Sequence, residues 1–75
     1  LASSYNNIAM VYSDMGDYET ALSHYNKALA IRQTALPDNH PDLASSYNNI
    51  AMVYSHMGDH TTALSHYNKA HAIFH

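Results

Sequence analysis

LASSYNNIAMVYSDMGDYETALSHYNKALAIRQ, residues 1–33, returns as LASSYNNIAMVYSHMGDHTTALSHYNKAHAIFH, residues 43–75. The offset is 42 residues, and 27 of the 33 paired positions are identical. A fixed period of this size marks a unit that buries its apolar face on neighbouring copies rather than on itself. The chain is therefore read as one pattern used twice, plus the six positions where the copies differ.

Within the first copy, Tyr5, Ile8, Ala9 and Tyr12 recur at the spacing of one helix face, which predicts a helix from Leu1 to Met15. Gly16 supplies the left-handed residue a helix end commonly needs, and Asp17 is placed to cap the next helix, with Glu19 in its first turn. That second helix starts near Tyr18, carries Ala21, Leu22, Tyr25, Ala28, Leu29 and Ile31, and meets no breaker before Leu36-Pro37. Pro37-Asp38-Asn39-His40-Pro41 is a tight connector, with Asn39 or His40 as cap and Pro41 in the first turn of a third helix. The third helix is expected to reach about Met57, and the fourth to run from about His60 to the end. The fold class is all-α, an α-solenoid of two helix–turn–helix repeats with four antiparallel helices. It forms one domain over 1–75, with repeat 1 at 1–36, a linker at 37–41 and repeat 2 at 42–75.

Composition narrows the partners. The chain has 75 residues, three basic side chains, no cysteine and a net charge of −3. Binding to nucleic acid or to an anionic membrane is not expected of so few cations. No apolar run approaches the roughly 20 residues of a membrane span, and no signal peptide is visible, so a soluble, cytoplasmic setting is expected. No lysine or cysteine nucleophile stands beside a base, and capping accounts for Asp17, so neither catalysis nor a cofactor is expected.

The pattern resembles the tetratricopeptide repeat. The matching residues are Tyr5, Ile8, Ala9, Tyr12, Gly16, Ala21, Tyr25 and Ala28, and in the second copy Tyr47, Ile50, Ala51, Tyr54, Gly58, Ala63, Tyr67 and Ala70. Small residues at Ala9, Ala21 and Ala28 let two helices approach, and the ring of Tyr25 is expected to fill the space between them. The period of 42 exceeds the usual 34, and the proline that normally follows the second helix is replaced by Gln33. With Asn-Asn-Ile-Ala in the first helix and His-Pro-Asp in the linker, the chain is similar to the 42-residue repeats of kinesin light chains. The resemblance implies right-handed superhelical stacking and a concave groove that binds a peptide or protein, without catalysis.

The same resemblance places the first helix of each repeat on the groove. The positions carried over are Ser3, Asn6, Asn7, Met10, Ser13 and Asp14, then Ser45, Asn48, Asn49, Met52, Ser55 and His56. Asn7 and Asn49 match the asparagine that commonly clamps a peptide backbone, a task suited to an amide with both donor and acceptor. Met10 and Met52 offer adaptable apolar contacts. No position is basic unless His56 is protonated, so a strongly acidic ligand is not expected.

The six differences are Asp14/His56, Tyr18/His60, Glu19/Thr61, Leu29/His71, Arg32/Phe74 and Gln33/His75. On a helical wheel Tyr18, Leu22, Tyr25, Leu29 and Arg32 form one stripe, with Gln33 beside it, expected to face the following repeat. In the second copy the stripe is His60, Leu64, Tyr67, His71 and Phe74, more polar as a capping repeat requires, although Phe74 runs against that. These five are the candidate residues for association through the end face. No metal site is expected. The alternative is the pair His71 and His75, whose i, i+4 spacing holds an ion on a helix. His24 and His66 fall on a different face. The second functional reading is a minimal or engineered repeat unit that self-assembles by end-face stacking, with or without metal held by histidines.

Overall fold

The computed structural model describes residues 2–37 and 40–74, the side chain of Phe74 excepted. Its elements are four helices, α1 Ala2–Asp14, α2 Tyr18–Ala35, α3 Pro41–His56 and α4 His60–Phe74, and no strand occurs among the described residues. The helices match the sequence expectation to within a residue or two at each described end.

The two hairpin turns are built alike. Gly16 has φ +84° and Gly58 φ +87°, a region that L side chains rarely occupy. At the first turn the Asp17 amide donates to the Tyr12 carbonyl at 2.9 Å and the Gly16 amide to that of Ser13 at 3.0 Å. These paired bonds satisfy carbonyls that the end of α1 would otherwise leave open. At the second turn Asp59 donates to Tyr54 at 2.9 Å and Gly58 to Ser55 at 3.0 Å. Each aspartate then caps the next helix: Asp17 Oδ1 accepts from the Thr20 amide at 3.4 Å, and Asp59 Oδ1 from the Thr62 amide at 3.2 Å.

Between the repeats, α2 stops where Leu36 turns extended before Pro37. His40 caps α3, its Nδ1 accepting the Asp42 amide at 3.1 Å, and Pro41 occupies the first helical turn. Of the two expected caps, Asn39 lies outside the described residues.

Each helix packs chiefly on its neighbours in sequence, α1 on α2, α2 on α3 and α3 on α4. Ala9, Ala21 and Ala28 in the first hairpin are buried, as are Ala51, Ala63 and Ala70 in the second. The close approach these alanines permit sets two side chains of α2 against α1. His24 Nδ1 lies 2.9 Å from the Thr20 carbonyl, and its ring stacks on Tyr12 with centroids 5.5 Å apart. Tyr5 lies 6.2 Å from the same imidazole and carries Lys27 Nζ over its face at 5.8 Å. The second hairpin repeats this with His66, Thr62, Tyr54, Tyr47 and Lys69, at 2.9, 5.4, 6.3 and 5.8 Å in turn.

Tyr25 reaches further than the sequence reading gave it. The sequence places its ring between the two helices of its own hairpin. It is 4% exposed, but its twin Tyr67, in an identical hairpin setting, is 39% exposed. The difference is α3, which stands against Tyr25 and has no described counterpart against Tyr67. The buried cluster is accordingly Ala9, Ala21, Tyr25, Ile50 and Val53, with Tyr12, Tyr18, Leu22, Leu29 and Tyr54 packed on it. Ile50 and Val53 are 1% and 2% exposed, whereas their twins Ile8 and Val11 are 43% and 58% exposed.

The expected stripe on α2 does meet α3. Besides Tyr25, the Tyr18 ring lies flat on His56 at 6.0 Å and 4°. Arg32 Nη1 donates to the hydroxyl of buried Ser46 at 2.8 Å and to the Asp42 carbonyl at 3.0 Å. Gln33 Nε2 donates to the Tyr47 hydroxyl at 3.3 Å.

Candidate functional site

The helices α1 and α3, first in each repeat, run beside one another over α2 and leave a recess of about 200 Å³ between their C-terminal halves. Its rim is Met10, Ser13 and Asp14 from α1 and Asn49, Met52 and His56 from α3, and Tyr25 and Val53 form its floor. Six of the twelve groove positions expected from the sequence line one cavity. Tyr25 and Val53 are not among them: the sequence places Tyr25 between helices and gives Val53 no role. The recess is smaller than the roughly 300 Å³ at which pockets for whole small molecules begin. Its size suits side chains of a larger ligand.

The remaining expected residues are placed differently. Asn7 is exposed on α1, and Asn48 and Ser55 are half-buried on α3. Asn6 is half-buried and turned toward α2. With its amide oxygen oriented to the guanidinium, it accepts from Arg32 Nη1 at 3.1 Å and Nη2 at 2.9 Å. Arg32 therefore joins α1, α2 and α3 at one point. Asn48 has no equivalent partner, since Phe74 stands where the first repeat has Arg32. Ser3 lines a second, more open recess with Ile31, Arg32, Leu36 and Asp42, and Ser45 is exposed.

The electrostatics of the main recess are mildly acidic. No lysine or arginine lines it, and Asp14 stands on its rim. Burial pushes the Tyr25 phenol above its ordinary value, and the Asp14 carboxylate adds to the shift. The phenol thus stays protonated at neutral pH and is available as a donor.

The end-face candidates lie along α4, where His60, Leu64, Tyr67 and His71 are exposed. The side chain of Phe74 lies outside the described residues, as does His75, the second member of the alternative metal pair. Among the described residues no three imidazole, thiolate or carboxylate side chains converge. No helix there is long and apolar enough to cross a membrane.

Comparison with known proteins agrees with this architecture. The tetratricopeptide repeat family matches over residues 1–74. Among solved structures, BtubC (BKLC) from P. vanneervenii is similar, with a TM-score of 0.83 and 32% identity over 96% of this chain. The match spans 29% of that protein's own chain. No curated protein sequence matches. Tetratricopeptide repeats are typically scaffolds for protein interaction rather than catalysts. The two hairpins, their stacking and the match over residues 1–74 show that this chain belongs to the tetratricopeptide repeat family.

Proposed function

We propose that the chain binds an extended peptide segment of a partner protein along the concave face of α1 and α3, without catalysis. The observation that carries this reading is the recess itself, where exposed Met10 and Met52 flank an apolar floor within reach of Asn49 and Ser13. Exposed thioethers are adaptable contacts for an apolar side chain. Asn7 and Asn49 supply the paired donor and acceptor that an extended backbone takes up. With Asp14 on the rim and no lysine or arginine in the lining, the ligand is neutral or basic rather than acidic.

Labelled protein applied to an array of extended peptides tests the proposal. A defined subset of neutral and basic peptides should bind. Asn7→Ala combined with Asn49→Ala should abolish binding while the helical circular dichroism persists. Unchanged binding by the double variant, or binding confined to acidic peptides, would overturn the proposal.

A further inference from the structure

The recess between α1 and α3 gathers three soft donor side chains. Met10 of α1 and Met52 of α3 both line it, 52% and 50% exposed, and His56 of α3 lines it with them. Met52 and His56 stand at i and i+4 on one helix, a spacing that sets Cβ atoms about 5–6 Å apart. Two side chains so spaced can hold one ion on a helix face. Met10 enters from the neighbouring helix at the position equivalent to Met52. A thioether on three rotatable bonds adapts to an irregular space without moving the backbone.

His56 is placed for such a role. Its ring lies flat on Tyr18 at 6.0 Å and 4°, so α2 sets the plane of the imidazole. His24, His40 and His66 each commit Nδ1 to the backbone, whereas no described residue hydrogen-bonds to the ring nitrogens of His56. Five of the six groove positions are identical in the two repeats, and the sixth is the Asp14/His56 pair. The one change within the groove therefore puts an imidazole and a carboxylate on the rim of the same recess.

We propose that this recess binds copper(I), a soft monovalent cation, through the Met10 and Met52 thioethers and the His56 imidazole. Thioethers select copper(I), and imidazole serves copper as well. Zinc draws on thiolate, imidazole and carboxylate, and no three of these converge among the described residues. The remaining lining fits a singly charged ion. Asp14 supplies one negative charge on the rim. Tyr25 and Val53, 4% and 2% exposed, form an apolar floor that shields a metal from solvent on that side. Met15 and Met57 are equally soft but sit at the hairpin turns and do not line the recess, which makes them internal controls.

Titrations of the peptide-free chain test the proposal, so their failure leaves peptide binding untouched. Silver(I) in chloride-free buffer is the redox-inert probe, and copper(I) is delivered under nitrogen with ascorbate. One equivalent of silver(I) should move the ε-methyl signals of Met10 and Met52 and the ring signals of His56 in carbon–proton correlation spectra. Those of Met15 and Met57 should stay in place, and zinc(II) should move none of the four methyls. Competition with a chromogenic copper(I) chelator should give one ion per chain. Met10→Leu and Met52→Leu conserve volume and helix propensity, and His56→Asp copies the first repeat. Each should weaken copper(I) binding at least about tenfold, the loss that even an indirect partner of a metal brings. Met15→Leu should leave it unchanged. Four methyls that shift alike, an affinity unaltered in any of the three recess variants, or a chain that fails to compete for copper(I) would each overturn the proposal. Zinc(II) moving the Met10 and Met52 methyls as silver(I) does would overturn it too.

Discussion

Arg32 Nη1 donates to the Ser46 hydroxyl at 2.8 Å, from the last turns of α2 to the interior of α3. The same guanidinium reaches the Asp42 carbonyl and, on its other side, the Asn6 amide oxygen. One side chain therefore fastens three helices. A hydrogen bond to a charged group contributes about 1.5–3 kcal/mol, so Arg32→Ala should lower stability by about that much in urea titration. Arg32→Phe, which copies the second repeat, should cost a similar amount. Arg32→Ala combined with Ser46→Ala should cost less than the two single changes added together, because each single change already removes the shared bond.

Two isoleucines in the same sequence context have opposite surroundings. Ile50 is enclosed between α2 and its own helix, whereas Ile8 faces outward. Ile50→Val should cost about 0.5–1.5 kcal/mol. Ile8→Val should stay within about 0.5 kcal/mol of zero at concentrations where the chain is monomeric. Denaturation midpoints at low micromolar concentration check the pair, and equal losses would contradict the burial described.

The histidine rings make a spectroscopic prediction. A carbonyl only accepts, so His24 and His66, each 2.9 Å from one, must hold a proton on Nδ1. His40 is the reverse, because its Nδ1 accepts the Asp42 amide and leaves the proton on Nε2. Two-bond nitrogen–proton correlation spectra should show His24 and His66 in the first tautomer and His40 in the second.

Asp59 gives a pH dependence. Hydrogen bonds from Thr62 hold its carboxyl below the ordinary value of 3.8, and His60 adds to this. A lowered folded-state value means the cap is fully effective above the ordinary range and is lost as pH falls through the lower folded value. Urea titrations between about pH 6 and pH 3 should therefore show stability falling toward acid. Asp59→Asn keeps a capping side chain without a charge and should flatten part of that slope.

What was legible in the sequence was local. Gly16, Gly58, Asp17 and Pro41 act within a few residues of themselves, so turns, caps and helix limits followed from spacing. The stripe from Tyr18 to Arg32 was legible too, because a helix period converts residue number into direction. The Tyr5–His24–Tyr12 stack was not, since polar residues facing a partner helix leave no apolar period. The available signal was that Tyr5, Tyr12, His24 and Lys27 are unchanged between copies. Asn6 was misleading for the opposite reason. It shares its helix with the groove residues, but its surroundings are decided by Arg32, 26 positions away in sequence. Tyr25 escaped the groove reading because the floor of a recess and the edge of a core are the same atoms, and Val53 joins it there without having been singled out in the sequence.

The adjacency of packed helices has a kinetic consequence. No main helix contact here joins segments far apart along the chain, because α1 meets α2, α2 meets α3 and α3 meets α4. Little loop-closure entropy must be overcome before native contacts form, and low contact order of this kind corresponds to folding in microseconds to milliseconds. Each hairpin encloses its own tyrosine–histidine stack, so either one is a ready starting point, and the other grows onto it through Tyr25, Ile50 and Val53.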